Sequence, residues 1–290
     1  MEAAPACNGR LRGMFGYNAT TITAQRILKG RYSFPEGFDQ ATREICEECA
    51  RIRLLVPKNS QNLIISHHDW EKHWRRKREE TSSSKSGLHF GHYIEGCRSD
   101  YISLLHALKA TLVINRGIIL DRWAWGLSTM LEKISGCALI TKLRLILLLE
   151  ADFNSTNKII YDQHMLLTVR RYKLMPEEIY SKKNCLAEDE TLVKVLFYDI
   201  VRQTRLPARI GAMDMENCYD RIAHPIALMV FQSLGVHKEA CKSTFSIVQD
   251  MKFFLRMGFG DSKKFASTRG SIKTQGMCQG NGAALAGIAS

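Results

Sequence analysis

The sequence contains no long apolar run. Its most apolar stretch, LRLILLLEADF, is interrupted by Arg144 and Glu150, whereas a helix needs about 20 apolar residues to cross a bilayer. The first residues, MEAAPACNGRLRG, also lack the apolar segment of a secretory signal. We therefore expect an intracellular protein, nuclear or cytoplasmic, with no membrane partner.

Cysteines in a disulfide or metal pattern are missing as well. The nine cysteines are an odd number, and the one CxxC, Cys46 to Cys49, has neither a second pair nor a histidine doublet at zinc-finger spacing. The glycines form no GxGxxG or GxxxxGK[ST] fingerprint. These absences predict reduced thiols and no zinc site, and they argue against Rossmann and P-loop nucleotide sites.

Acidic residues are in deficit. The 290 residues include 41 Lys and Arg against 29 Asp and Glu, which gives a net charge of +12. Basic proteins of this size commonly bind polyanions, because phosphates attract cations and release counterions on binding; a merely basic surface is the alternative. The run RRKR at 75–78, which follows Trp70 and Trp74, is typical either of a basic helix that faces nucleic acid or of a solvated helix end.

The hydrophobic pattern predicts a mixture of helices and strands. Helices are expected at about 99–115, 187–204, 224–234 and 238–254. Two strands, one at about 128–132 and one in KLRLILLL, are expected to form a hairpin with ISGC as its turn. The segment ARIGAMDM is expected to be a short apolar strand that ends near Asp214.

Three carboxylates stand close together in AMDMENCYDRIAH, at Asp214, Glu216 and Asp220. Asp214 would end the strand, where a carboxylate can bind Mg²⁺ in phosphoryl transfer or simply serve as a turn or cap residue. Glu216 would point to the opposite side of that strand. Tyr219 could stack beside a nucleotide sugar, although a core aromatic is the simpler interpretation of this residue by itself.

The remaining candidates are two cations and two Gln-Gly pairs. Lys133 and Arg144 flank the expected hairpin, and cations on adjacent strands can clamp a triphosphate; ordinary surface cations are the alternative. The pairs at 275–276 and 279–280 lie in a glycine-rich stretch, where the backbone can approach a ligand closely. Glutamine in such a stretch can bond a base edge or a substrate, or it can be plain polar surface.

The order of these elements resembles the fingers and palm motifs of reverse transcriptases. The hairpin cations, then MDMENCYDRIAH, then QGMCQGNGAALAG follow one another as the motifs of that family do. The most specific part is Asp214 with Tyr219 and Asp220, which matches an Asp-x-x-x-small-aromatic-Asp pattern with Cys218 as the small residue. Over about residues 80–290 the chain is similar to retroelement reverse transcriptases of the non-LTR and group II-like type.

The resemblance implies an α/β (α+β) fold with right-hand polymerase fingers and a partial palm, an antiparallel palm sheet with packed helices, and no thumb. It implies an N-terminal helical and basic extension with a Ser-rich linker at 1–86, a fingers-like region at 87–206 and a partial palm at 207–290. The expected function is RNA-directed DNA polymerisation. The expected partners are a dNTP and an RNA template with a DNA primer, or an RNA–DNA hybrid.

The resemblance also implies the residues that bind metal. Asp214 corresponds to the first catalytic aspartate and would bind both magnesium ions, with Mn²⁺ as an alternative metal. Met215 would contribute its backbone carbonyl to one ion. The reaction of the family is in-line attack of a primer 3′-hydroxyl on the α-phosphate, in which positioning and charge neutralisation dominate.

Five further residues would bind the nucleotide if the resemblance holds. Tyr219 corresponds to the aromatic steric gate that disfavours ribonucleotides. Gln279 and Gly280 correspond to the Gln-Gly pair that lines the nucleotide and template side. Lys133 and Arg144 correspond to the fingers cations that hold the incoming triphosphate.

The sequence departs from the family pattern in two places. Ala284-Leu285 stand where the family has Ser-Pro after its Gln-Gly pair, and no aromatic-x-Asp-Asp motif occurs before Ser290. A two-metal site with one carboxylate is incomplete, so we expect a fragment with little or no polymerase activity by itself. The alternatives are a non-catalytic RNA- or DNA-binding remnant of a retroelement protein, and an unrelated basic helical scaffold.

Overall fold

The chain combines helices with a small sheet, as the hydrophobic pattern predicts. The computed structural model describes residues 13–56, 63–79, 84–118, 120–137, 139, 142–174, 187–209, 211, 221–258, 260–267 and 276. Within these residues the class is mixed α/β.

Three capped helices begin the described chain: α1 (Ile22–Leu28), α2 (Gln40–Leu55) and α3 (His67–Trp74). The side chains of Thr21, Asp39 and Ser66 accept hydrogen bonds from backbone N–H groups in the first turns of α1, α2 and α3, respectively. Such caps satisfy donors that a helix start leaves free.

Helices α4 (Phe90–Gly96) and α5 (Asp100–Arg116) follow, and Val113 of α5 belongs to the apolar cluster that includes Leu147. The buried face of α5 carries small and β-branched residues such as Ala107 and Ala110, which let α3 approach closely. Gly117 ends the helix with a φ of 65°, a left-handed conformation that glycine adopts without steric cost.

The sheet has four strands in the order β2-β1-β3-β4. After a 3₁₀ turn at Asp121–Ala124, β1 (Trp125–Glu132) pairs antiparallel with β2 (Leu143–Leu148). Strand β3 (Lys252–Met257) pairs parallel with β1, and the short β4 (Gly260–Asp261) pairs antiparallel with β3. The hairpin predicted from the sequence is therefore confirmed.

Helical segments connect β2 to β3. They are α6 (Ala151–Asn157), a π-helix (Lys158–Met165), α7 (Leu166–Arg171), α8 (Ala187–Thr204), α9 (His224–Ser233) and α10 (Lys238–Gln249). The predicted helices at 187–204 and 224–234 are confirmed, and the second ends where Gly235 takes a φ of 98°.

Two clusters of buried apolar side chains form the core. The larger one includes Trp70 and Trp74 of α3, Tyr161 of the π-helix and Phe231 of α9, all fully buried. The smaller one lies beneath the sheet and joins Leu147 of β2 to α5, α6 and α10. The sheet therefore packs against α5, α6 and α10 through this smaller cluster.

Two sequence predictions are corrected by the structure. The helix expected at 238–254 ends at Gln249, and Lys252–Met257 forms β3, because the aromatic and aliphatic side chains that follow Met251 pair with β1. The sheet is not wholly antiparallel as expected: β3 reaches β1 through a helical crossover, and such connections allow parallel pairing.

The basic run at 75–78 does not continue a helix. Helix α3 ends at Trp74, and the two tryptophans that precede the run point into the core. Burial, together with the nearby Lys158 charge, lowers the pKa of Lys77 to about 8. Arg75, Arg76 and Arg78 are exposed, so of the two interpretations left open by the sequence, the structure favours the solvated helix end.

Candidate nucleotide-binding hairpin

The β1–β2 hairpin brings two of the predicted site residues together. Arg144 is the register partner of Leu131, and the Lys133 N–H donates to the Lys142 carbonyl at 3.0 Å. The ladder therefore continues to the tip of the hairpin, where Cys137 N–H donates to the Ile134 carbonyl at 3.1 Å. This turn is the one that the ISGC segment predicts.

Three cations share one face at this tip. Residues that alternate along a strand point to the same side, and so do register partners. Lys133, Lys142 and Arg144 therefore lie on one face and are diagonal or direct neighbours, and all three are exposed. None of them forms an ion pair with a carboxylate among the described residues. The tip thus carries positive charge that no described side chain neutralises.

The next cation on the same face has a different environment. Arg256 of β3 is the register partner of Thr129, and its guanidinium donates to both carboxylate oxygens of Asp261 at 2.7 and 2.9 Å. These hydrogen bonds raise the pKa of Arg256 and lower that of Asp261. Arg256 is already paired, so an anion would bind preferentially at the hairpin tip.

Aromatic rings and cations alternate at the base of this face. Trp125 and Phe254 have ring centroids 5.8 Å apart, and the Lys85 ammonium lies 3.1 Å from the Phe254 centroid. The Lys252 ammonium lies 5.3 Å from the ring centroid of Phe265. Trp125 is 39% exposed and Phe265 is 48% exposed, so both rings remain accessible for stacking.

A buried charge cluster closes the base of the hairpin. Arg122 precedes β1, while Glu150 and Asp152 follow β2. The guanidinium of Arg122 binds both carboxylates, with Nη1 3.0 Å from Glu150 Oε2. Asp152 is fully buried and also accepts from the Lys109 ammonium at 2.6 Å and from the Trp123 indole N–H at 2.9 Å. Two cations and two carboxylates therefore balance, which makes the burial tolerable.

The same cluster links the hairpin to its neighbours. Glu150 accepts hydrogen bonds from the hydroxyls of Ser84 and Ser86, the latter at 2.9 Å. Burial alone would lower the pKa of Arg122, but Asp152 and Tyr93 raise it above the usual value. Burial and the Asp152 charge raise the pKa of Tyr93 to about 12. The hairpin is thus fixed to α4, α5 and the preceding loop through polar bonds.

A second contact joins the two segments that carry the remaining candidate residues. The Gly276 N–H donates to the Ile222 carbonyl at 2.9 Å, and the Gly276 carbonyl lies 2.8 Å from His224 Nε2. Ile222 follows Asp214 in the chain, and Gly276 precedes Gln279. We name Ile222, His224 and Gly276 the α9 clip.

The structure describes only part of the predicted site. Lys133 and Arg144 are brought together; Asp214, Met215, Tyr219, Gln279 and Gly280 lie outside the described residues. Sequence reasoning missed Lys142, whose position in the KLR triplet at the start of β2 was the available signal. It also missed the Arg122, Glu150 and Asp152 cluster, whose pairing requires the hairpin to be folded.

No protein-family model matches the chain, and no curated protein matches it. Within the described ranges no helix combines the length and the apolar character needed to cross a membrane.

Proposed function

We propose that this chain supplies the nucleotide-binding and template-binding part of an RNA-directed DNA polymerase of retroelement type. Lys133 and Arg144, assisted by Lys142, bind the triphosphate of a dNTP, while an RNA template with a DNA primer lies along the sheet. The observation that carries the proposal is the cluster of three exposed cations without described carboxylate partners on one face of the hairpin. A triphosphate needs several cations at fixed spacing, which two adjacent strands provide.

The α9 clip supports the same proposal. The side chain of Gln249, the last residue of α10, lies 3.3 Å from His224 Nδ1, and β3 begins three residues later at Lys252. Asp214 is eight positions before Ile222, and eight residues span at most about 29 Å. Chain length therefore keeps Asp214 within about 29 Å of the clip.

The metal donors of the proposed site are incomplete. Asp214 and the Met215 carbonyl offer the hard oxygen ligands that Mg²⁺ prefers. Phosphoryl transfer with two metal ions needs a second carboxylate. No group of three metal-ligating side chains occurs among the described residues. We therefore assign nucleotide binding to the hairpin and derive no catalytic step from these donors.

Nucleotide titration tests the proposal directly. Binding of a dNTP to the chain would be measured for the wild type, Lys133→Met and Arg144→Met, with Lys242→Met as a control that removes one exposed charge from α10. A charged hydrogen bond contributes about 1.5–3 kcal/mol, so each hairpin variant should weaken binding about tenfold or more. Equal affinity of Arg144→Met and Lys242→Met would refute the assignment.

Primer extension with Mg²⁺ tests the catalytic part. We expect little or no extension by the chain alone. Extension that Asp214→Ala abolishes would show that the donor set is sufficient after all, and it would contradict the expectation of an inactive fragment.

A non-catalytic RNA- or DNA-binding protein is the second candidate function. The accessible rings of Trp125 and Phe265 beside Lys252 favour it, because aromatic rings interleaved with cations bind single strands by stacking. Salt-dependent RNA binding that Trp125→Ala weakens about fivefold or more, without any dNTP binding, would support this candidate over the polymerase. Absence of both kinds of binding would refute both.

A further inference from the structure

Helix α5 buries one face and exposes another that is also apolar. The buried face, with Ala107 and Ala110, packs in the core. The opposite face carries four large side chains that are between 52% and 86% exposed, and we name them the α5 stripe: Tyr101, Leu105, Leu108 and Leu112. A helix that is apolar on all sides is normally buried on all sides, and exposed apolar patches mark interaction sites. The α5 stripe is therefore a candidate binding surface.

The loop before α3 extends this surface at the C-terminal end of the α5 stripe. The Asn115 side-chain amide donates to the Leu63 carbonyl at 2.8 Å, and the Ile65 N–H donates to the Thr111 hydroxyl at 3.0 Å. Ile64 lies between the two bonded residues and is 70% exposed. The loop is thus fixed to α5, and its exposed isoleucine adds to the apolar surface there.

The spacing of the α5 stripe is self-complementary. Its residues follow one another at steps of four, three and four positions, which read the same from either end. Steps of three and four place side chains along the seam between two packed helices. In an antiparallel pair of identical helices, Tyr101 of each copy would face Leu112 of the other, and Leu105 would face Leu108. A two-fold symmetric interface requires this reciprocity.

The charges at the two ends of α5 favour the antiparallel arrangement. Asp100 lies in the first turn and Arg116 in the last turn, and both are exposed. An antiparallel pair brings the acidic start of one helix close to the basic end of the other, whereas a parallel pair brings like charges together. The opposed helix dipoles have the same preference.

We propose that the α5 stripe binds the α5 stripe of a second copy, so that the chain forms an antiparallel dimer with two-fold symmetry. This inference does not depend on nucleotide binding. From Tyr101 to Leu112 the α5 stripe is about 17 Å long, which is short for a protein interface, so we expect a weak dimer with a dissociation constant in the micromolar range.

Sedimentation equilibrium of the full chain, at concentrations from about 1 to 200 µM, tests the proposal. Leu105→Glu and Leu108→Lys should each weaken self-association about tenfold or more, because each places a charge in an apolar contact. Leu167→Lys is the matched control: Leu167 of α7 is 62% exposed and Leu105 is 65% exposed. The control should associate as the wild type does, and circular dichroism would show that every variant is folded.

An equimolar mixture of Leu105→Glu and Leu108→Lys tests the orientation of the helices. In an antiparallel pair the introduced carboxylate of one chain faces the introduced ammonium of the other, and the second contact remains a pair of leucines. The mixture should therefore associate about tenfold more tightly than either variant alone. In a parallel pair each introduced charge would face a leucine, and the mixture would not differ from its components.

Several results would overturn the proposal. A wild type that stays monomeric up to about 200 µM, a dimer that Leu105→Glu leaves intact, or a mixture without tighter association would each do so. A lower melting temperature of Leu105→Glu without a change in mass would also overturn it, since the chain itself rather than a second copy would then cover the α5 stripe.

Discussion

Replacing Asp152 with Asn tests whether the buried cluster fixes the hairpin. The side chain is fully buried and accepts from Lys109 at 2.6 Å, from Trp123 at 2.9 Å and from Arg122. Asparagine retains the size and one acceptor, so the Trp123 bond can persist. Its amide group, however, would face the two cations: Arg122 would keep Glu150 as a charged partner, whereas Lys109 would lose its partner in the cluster.

The expected cost is about 3 kcal/mol in the free energy of unfolding. Removing one partner of a buried ion pair costs about 3–5 kcal/mol, because the other charge is left buried without compensation. The lower end applies here, since the side chains of Arg122 and Lys109 are 31% and 27% exposed and gain some solvation. Urea denaturation followed by circular dichroism would measure the change.

A matched control and a double-mutant cycle make the test decisive. Glu47→Gln breaks an ion pair with Arg43 in which both side chains are about half exposed. It should lower the free energy of unfolding by less than about 1 kcal/mol. Combining Asp152→Asn with Lys109→Met should recover part of the loss, since it removes a cation that lacks a partner. Equal stabilities of Asp152→Asn and Glu47→Gln would refute the reasoning.

Three further predictions concern the core. Burial, and then the charges of Lys77 and Lys158, lower the pKa of His73 to about 3. Between about pH 6.5 and 3 only the unfolded chain binds this proton, so the free energy of unfolding should fall by about 1.4 kcal/mol for each pH unit as the pH falls. The variant His73→Gln should flatten this slope in urea denaturation. Gly126→Ala should cost about 1–3 kcal/mol, measured by thermal unfolding, because its Cβ would lie 2.7 Å from atoms of Leu147 and Met251. Burial raises the pKa of Cys46 to about 11 and that of Cys49 to about 12, so iodoacetamide at pH 8 should label both slowly in mass-spectrometric mapping.

Each of these three predictions has a matched control in the same chain. His67→Gln changes an exposed histidine of the same helix and should leave the acid slope as in wild type. Gly258→Ala adds a methyl group with no atom within 4 Å and should be nearly neutral. Cys137, which is partly exposed, should be labelled before the two buried thiols; the reverse order would contradict the burial argument.

Local signals predicted much of the secondary structure. The ISGC turn between two aliphatic runs defined the β1–β2 hairpin, and His224-Pro225 with Gly235 defined the two ends of α9. These features depend on residues that are close in sequence. The end of α10 and the start of β3 were predicted wrongly, because the pairing of Lys252–Met257 with β1 depends on contacts that a local pattern does not contain.

The candidate site was predictable to a similar degree. Lys133 and Arg144 could be placed together from the hairpin pattern alone. The role of Asp152 could not, since its three side-chain donors come from α5 and from the turn before β1. The clip could not be predicted either, because His224 reaches Gly276 across a long stretch of chain.

The parallel pairing of β1 with β3 also determines when the hairpin face can form. A two-stranded hairpin is at best marginally stable in water, and the third strand is synthesised only after α10. Until then the edge of β1 that later pairs with β3 has its backbone groups unpaired, a condition that favours association between nascent chains. Contacts of such long sequence separation also slow folding. The hairpin cations should therefore acquire their fixed spacing late, as one of the final events in the folding of this chain.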